Sequence, residues 1–351
     1  MIGGPPFPVR PSELTTDVLE AALGLPVAGF SARVVGADRG MLGDLLAITP
    51  VYRGASGPAV VIAKFAADRE GSLGSARRGG THLRELRFYD ELAPVTPARV
   101  PLSYASWYDP ESARFLLIQE YIDADLSVDQ IVGLDVRRAA QVLTEVAGLH
   151  GRWWQAPQLG DIDWIAPLDS AARRHNLGTI TSQGWGLLCD LIGDELSAEE
   201  RCIGRNLAER LDNLLVEMAK LPSTLIHSDL RADNLLFPKS REAAVIVDWQ
   251  GVGIGPPGWD LAYFMSQSLS VEVRRRHEDQ LIDHYLSTLA EHGAHVPREI
   301  VMAGYGESML FGLIVACSLP LAANVDDPRV AALARTMTRR SIEALRDHGH
   351  L

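Results

Sequence analysis

His227-Ser228-Asp229 follows the apolar run Leu225-Ile226, and Asn234 comes five residues after the Asp. A second apolar run, Val245-Ile246-Val247, then delivers Asp248, fourteen residues beyond the Asn. Two strand-like runs ending in acidic turns are a means of holding oxygen ligands around a phosphate. Phosphoryl transfer asks for positioning and charge neutralisation more than for covalent work by the protein. In this spacing Asp229 accepts the proton of a substrate hydroxyl, while Asn234 and Asp248 hold Mg²⁺ on the phosphates of ATP. His227 is read as structural, its ring tied to nearby backbone.

Upstream, Lys64 interrupts the apolar run Ala59-Val60-Val61-Ile62-Ala63 before Phe65. A lone ammonium in a buried strand is costly without a partner. Glu85, 21 residues later on a predicted helix, is the expected partner, and the pair then orients the α- and β-phosphates. The segment from Gly36 to Asp44 lies about where a phosphate-covering loop belongs, with Gly40 and Gly43 letting backbone N–H groups approach closely. It does not spell a glycine-rich motif, and a plain hairpin turn fits it as well. Glu120 and Tyr121, ending the last predicted strand of this half, are placed to offer backbone groups to adenine.

The elements that must position these residues follow from the apolar pattern. A short helix over 12–24 precedes two strands between Ser31 and Val51, with Gly40 and Gly43 in their turn. A strand over 59–65, a loop over 68–80, a helix over 81–92 and strands over 103–108 and 115–121 complete a small α+β lobe. Residues 136–154 read as a helix, 155–184 as irregular, and 187–192 and 203–221 as helices. Further helices fill 260–350. The boundary falls at Ile122-Asp123, giving an ATP-binding lobe over 1–122 and a catalytic and substrate-binding lobe over 123–351.

Composition sets limits. The 351 residues are 47% hydrophobic and 22% charged, which suits packed domains and not disorder. The net charge of −12 argues against a nucleic-acid surface. Nearly all of the excess lies in residues 123–351, with 21 basic and 32 acidic groups. No apolar run reads as a bilayer span, and the N-terminus lacks a signal-peptide pattern. Three cysteines without metal-ligand spacing suit a reduced, cytoplasmic setting.

Taken in order, Lys64, Glu85, the His227–Asn234 turn and Asp248 resemble the aminoglycoside phosphotransferase and choline kinase superfamily. Phe88-Tyr89-Asp90-Glu91-Leu92, Val247-Asp248-Trp249-Gln250 and Gly258-Trp259-Asp260-Leu261-Ala262-Tyr263 look closest to its ecdysteroid kinase-like branch. The resemblance covers roughly residues 30–320. It implies a bilobal protein-kinase-like fold, with a small β-sheet-plus-helix N-lobe and a larger, mainly helical C-lobe. It implies ATP and Mg²⁺ as cofactors, Asp229 as base, Asn234 and Asp248 as metal ligands, Lys64 as phosphate contact, and Asp260 as a brace for the catalytic turn. An Asp near a helix start is also a good N-cap. Ser228 stands where relatives carry Gly, and Trp249-Gln250 where protein kinases carry Phe-Gly.

A protein kinase is disfavoured, because only about a dozen residues separate Asp248 from the helix near Asp260, with no Ala-Pro-Glu. A pseudokinase or binding module has no need for Lys64, Asp229, Asn234 and Asp248 together. Nucleotidyl transfer on the same fold stays open. The acceptor is expected to be a small-molecule alcohol or an amino-sugar-like compound. Trp153, Trp154, Trp164, Trp185 and Trp259 leave room for an apolar ring-bearing alcohol, and Asp161, Asp163, Asp190 and Asp194 for an amino sugar.

Overall fold

The computed structural model describes residues 7–35, 43–66, 73, 79–125, 128–240 and 243–351. Gly40, and with it the turn expected after residue 35, lies outside them, as does most of the 68–80 segment.

The chain forms two compact units. The first takes in the chain up to Thr96, then Val100–Asp123 and Val247–Gly251; the second has Pro97–Arg99, Ala124–Ile246 and Val252–Leu351. The division is therefore not one cut at residue 122. Residues 247–251 belong with the first unit because Trp249 stacks on Phe88 at 3.8 Å and 6°, and Asp248 binds Lys64.

In the first unit, helix α1 (Thr16–Leu23) is capped by the Thr15 side chain on Val18 N–H and stopped by Gly24 at φ +66°. Strands β1 (Val27–Val35), β2 (Gly43–Tyr52), β3 (Val61–Ala66), β4 (Ser103–Asp109) and β5 (Arg114–Glu120) form an antiparallel sheet in the order β1-β2-β3-β5-β4. Gly43 lies within β2, paired with Ala66, and not in the turn expected to hold it. Along β3 the side chains alternate. Val61, Ala63 and Phe65 enter a core with Leu14, Leu19, Trp107, Leu116 and Ile118. Each such burial stabilises by roughly 1.5–3 kcal/mol for the larger side chains. Period two then puts Lys64 on the opposite face. Helix α2 (Thr81–Arg87) follows, and its last turn widens into a π-type turn over Phe88–Leu92.

In the second unit, α3 (Val136–Trp153) starts at an Asp135 cap. The next helix, α4 (Ala171–Ile192), covers much of the stretch expected to be irregular. Its sequence hides it: Gly178, Thr179, Thr181, Ser182, Gly184 and Gly186 have low helix propensity and blur the apolar period. Tertiary packing overrides this, and Gly184 shows how. A Cβ there would lie 2.0 Å from the Cys317 carbonyl oxygen, so only glycine allows this approach. Helix α5 (Leu207–Met218) leads into strand β6 (Thr224–Ile226), which pairs with β9 (Gly253–Gly255). Between them β7 (Leu235–Leu236) pairs with β8 (Val245–Ile246). Helices α6 (Pro257–Ser268), α7 (Val271–Glu291), α8 (Leu310–Ala322) and α9 (Pro328–Asp347) follow, and α6 packs against β6.

The helical stretch Arg298–Ala322 corrects one expectation: its 25 residues, with an 18-residue window of mean hydropathy 1.7, are long and apolar enough to cross a bilayer. Of its most apolar window, 56% is buried inside the protein. A core helix meets the same length and composition, and Gly184 of α4 abuts Cys317 of α8.

Candidate active site

The first unit brings together Lys64, Glu85 and Asp248. Lys64 Nζ donates to both oxygens of Glu85, at 2.7 and 2.9 Å, and to Asp248 Oδ1 at 3.0 Å. The expected ion pair is thus present, with a second carboxylate on the same ammonium. Burial alone would lower the Lys64 pKa; the charges of Asp248 and Glu85 outweigh it and raise it above its ordinary value. The Glu85 side chain is nearly inaccessible, and burial pushes its carboxyl up against the pull of Lys64. Asp248 is 28% exposed, and Gln250 Nε2 donates to its Oδ2 at 3.2 Å. Asp248 adopts φ +66°, a conformation that Asp tolerates better than most residues. Arg84 fixes the segment further, donating from Nη1 to the Gln250 carbonyl at 3.0 Å. Glu120 ends β5, its backbone N–H bonded to the Leu102 carbonyl, and Tyr121 accepts from Arg33 through its hydroxyl.

The second unit holds the turn expected to be catalytic. Asn234 Nδ2 donates to the Asp229 carbonyl at 2.8 Å and to Asp229 Oδ2 at 2.9 Å. That fixes the amide and leaves its oxygen as the atom offered to a cation. Arg231 Nε lies 3.4 Å from Asp229 Oδ1, and Arg231 Nη1 donates to Asp233 Oδ2 at 2.9 Å. The His227 ring accepts from Asp229 N–H through Nδ1 at 3.2 Å, so it is tied to backbone as expected.

Asp260 holds the turn from beneath. Its carboxylate accepts from His227 N–H at 2.7 Å and Ser228 N–H at 2.8 Å, and lies 3.3 Å from His150 Nε2. It is fully buried. The N-cap reading of this residue is wrong: α6 begins at Pro257 after Pro256, with no side-chain cap, and Asp260 is the fourth residue of the helix. Ser228 explains its own oddity. It sits at φ +67°, where glycine is at ease, and its buried hydroxyl has no hydrogen-bond partner among the described residues.

Mg²⁺ is a hard cation that takes one or two protein oxygens besides phosphate. The Asn234 amide oxygen in the second unit and the Asp248 carboxylate in the first are each donors of that kind. Among the described residues no cluster of three or more His, Cys, Asp or Glu forms an all-protein metal cage.

Residues 193–297 match the model of the ecdysteroid kinase-like family. An uncharacterised kinase-like protein of Caenorhabditis elegans is 24% identical over 227 residues, 61% of this chain and 58% of its own length. A microcompartment-associated aminopropanol kinase superposes with TM-score 0.58 at 13% identity, covering 96% of this chain and 99% of that one. Choline kinase from Cryptosporidium parvum does so with TM-score 0.58 at 14% identity, covering 92% and 91%. The chain has the protein-kinase-like fold shared by these two kinases. The family match spans the catalytic turn, Asp248 and Asp260, in line with the ecdysteroid kinase-like resemblance read from the sequence.

Within this protein-kinase-like fold, sequence reasoning passed over four contributors. Neither Arg84 nor Arg231 belongs to a recognisable spacing. His150 and Tyr285, hydrogen-bonded at 2.8 Å, both lie in the core, and His150 reaches Asp260. A signal for His150 existed: it falls one turn after Val146 on the apolar side of α3, where an imidazole needs a polar partner.

Proposed function

We propose that the protein is a small-molecule phosphotransferase that moves the γ-phosphate of ATP to an alcohol. The observation that carries this reading is the Lys64 ammonium held between Glu85 and Asp248. A half-buried cation held by two carboxylates serves no packing need, and it suits the phosphates of a nucleotide. Lys64 contacts the α- and β-phosphates. Backbone groups at Glu120 and Tyr121 meet the adenine. Asn234 and Asp248 would hold Mg²⁺, which would neutralise charge on the phosphates of the nucleotide.

Asp229 takes the proton of the acceptor hydroxyl. The acceptor oxygen bonds to the γ-phosphorus as the bond from that phosphorus to the ADP oxygen breaks, and the proton remains on the Asp229 carboxylate. Asn234 orients the carboxylate through Oδ2, leaving Oδ1 on the side of Arg231. Asp260 keeps the turn from shifting, which matters because a displacement of about 1 Å costs on the order of 100-fold in rate. The acceptor is a small alcohol or amino-sugar-like compound, found by an ATP-consumption screen across amino sugars, choline-like alcohols, macrolides and sterols.

Thermal stability with and without Mg·ATP tests the reading. At a hundred times its dissociation constant the ligand adds about 2.7 kcal/mol. Asp248→Asn weakens that stabilisation, while Asp229→Asn retains it and loses turnover. Absence of stabilisation by any nucleotide rejects the proposal.

A further inference from the structure

Helix α2 grips the segment that carries Asp248 at three points. Arg84, Glu85 and, at the helix end, Phe88 stand three and four positions apart, so they share one side. Glu85 reaches Asp248 through Lys64. Phe88 stacks on Trp249, and both rings are fully buried. Arg84 donates from Nη1 to the Gln250 carbonyl at 3.0 Å and from Nη2 to the Gly79 carbonyl at 2.7 Å. Residues 248, 249 and 250 thus each have a counterpart on α2. A guanidinium matches a carboxylate or phosphate best, yet this one is spent on two carbonyls. Burial lowers its pKa, with no neighbouring charge to offset the pull.

The backbone explains why a grip is needed. Asp248 holds φ +66°, so local preference opposes its conformation and the surrounding contacts have to keep it. Its carboxylate is bonded at both oxygens, by Lys64 Nζ at Oδ1, 3.0 Å, and by Gln250 Nε2 at Oδ2, 3.2 Å. Those two bonds set the plane of the carboxylate, while each oxygen keeps a lone pair for a further partner.

We infer that Arg84 and Gln250 are positioning residues for Asp248: Gln250 sets its carboxylate, and Arg84, by holding the Gln250 carbonyl, locks residues 248–250 to the helix that carries Glu85. This rests on the reading of Asp248 as a Mg²⁺ ligand. Groups that act on a metal through its ligand are felt in metal affinity, by about 10–100-fold. They leave the direct grip on the nucleotide, here Lys64, as it was.

The test compares two affinities of the full chain by calorimetry, for Mg·ATP and for ATP in EDTA. Gln250→Leu removes the amide at nearly constant size, and Arg84→Met keeps an apolar stem but removes the donors. In each variant the affinity for Mg·ATP falls by about 10-fold, while that for metal-free ATP stays within about 2-fold of wild type. A lost phosphate contact or a damaged fold would lower both affinities alike, so their ratio reads positioning and not mere structure. In an Asp248→Asn background neither change moves the ratio further, because both act through that carboxylate. If Arg84→Met fails to fold, Gln250→Leu carries the test: Gln250 is partly exposed, and the Asp248 carboxylate, 28% exposed, turns its released oxygen to water. A wild-type ratio in Gln250→Leu, equal losses with and without the metal, or a further fall in the Asp248→Asn background overturns the inference. A wild-type protein that binds ATP equally well with and without Mg²⁺ instead overturns the metal-ligand reading of Asp248, and the inference with it.

Discussion

Replacing Asp260 with Ala tests how the catalytic turn is held. Its carboxylate is fully buried and accepts two backbone N–H groups, from His227 at 2.7 Å and Ser228 at 2.8 Å, beside His150 at 3.3 Å. None of the three donors can turn to water instead, since His227 and His150 are fully buried and Ser228 nearly so. Stranding a buried donor costs about 1–3 kcal/mol, so two N–H groups at about 2 kcal/mol each give about 4 kcal/mol, and His150 adds about 1 kcal/mol. The sum matches the roughly 3–5 kcal/mol seen when one member of a buried charged network is removed. Asp260→Asn keeps one acceptor oxygen but turns an amide toward the other N–H, so about half that loss is expected. Urea unfolding followed by tryptophan fluorescence reads both. At an m-value of about 3 kcal/mol/M, the Ala variant loses more than about 1 M in midpoint. Lys64, Glu85 and Asp248 are untouched, so nucleotide affinity survives while turnover does not. A loss below about 1 kcal/mol would refute the view that this carboxylate supports the turn.

Ser228→Gly should stabilise the protein by about 1 kcal/mol in the same unfolding assay, since it relieves φ +67° and removes a buried unpaired hydroxyl, against a smaller entropic cost. No gain would mean that the turn is not strained. Acid stability should show the mark of Glu278. Burial pushes its carboxyl up, but hydrogen bonds from His348 and Tyr305 and the charge of Arg274 outweigh it and hold the pKa below the ordinary carboxylate value. A depressed folded pKa gives stability that is full above the unfolded value of about 4.3 and is lost as pH falls through the folded value. Glu278→Gln should therefore flatten the acid limb of the stability profile below about pH 5, and an unchanged limb would remove Glu278 from that account.

What was legible in the sequence was whatever carried a short period or a fixed spacing. Lys64 could be placed because one charge in an apolar strand demands a partner, and Glu85 because a helix followed at the right interval. The catalytic turn could be placed because strand, turn and strand are all local. Helix α4 was hidden because its glycines and small polar residues blur the apolar period, while the close approach of Gly184 to Cys317 leaves no trace in the local pattern. The role of Trp249 was hidden for a related reason. Its stacking on Phe88 joins residues 161 positions apart, and no periodicity records such a contact. Gly43 was misplaced by one element because a glycine near a predicted turn reads as part of the turn, whereas here the strand runs through it.

The support beneath the catalytic turn has a bearing on how such a protein diversifies. Thr224 donates to the His150 carbonyl at 2.9 Å, His150 meets Tyr285 and Asp260, and all four side chains are inaccessible to solvent. A molecule arriving from solution cannot touch them, so a change of acceptor places no demand on them. These four positions form one inheritance unit, to be carried together or replaced together. The residues that meet the acceptor are free to drift independently of it. A library aimed at new acceptors should therefore hold positions 150, 224, 260 and 285 constant and spend its diversity elsewhere. Transplanting the turn into another scaffold without its four supports should yield a well-spelled motif with little activity.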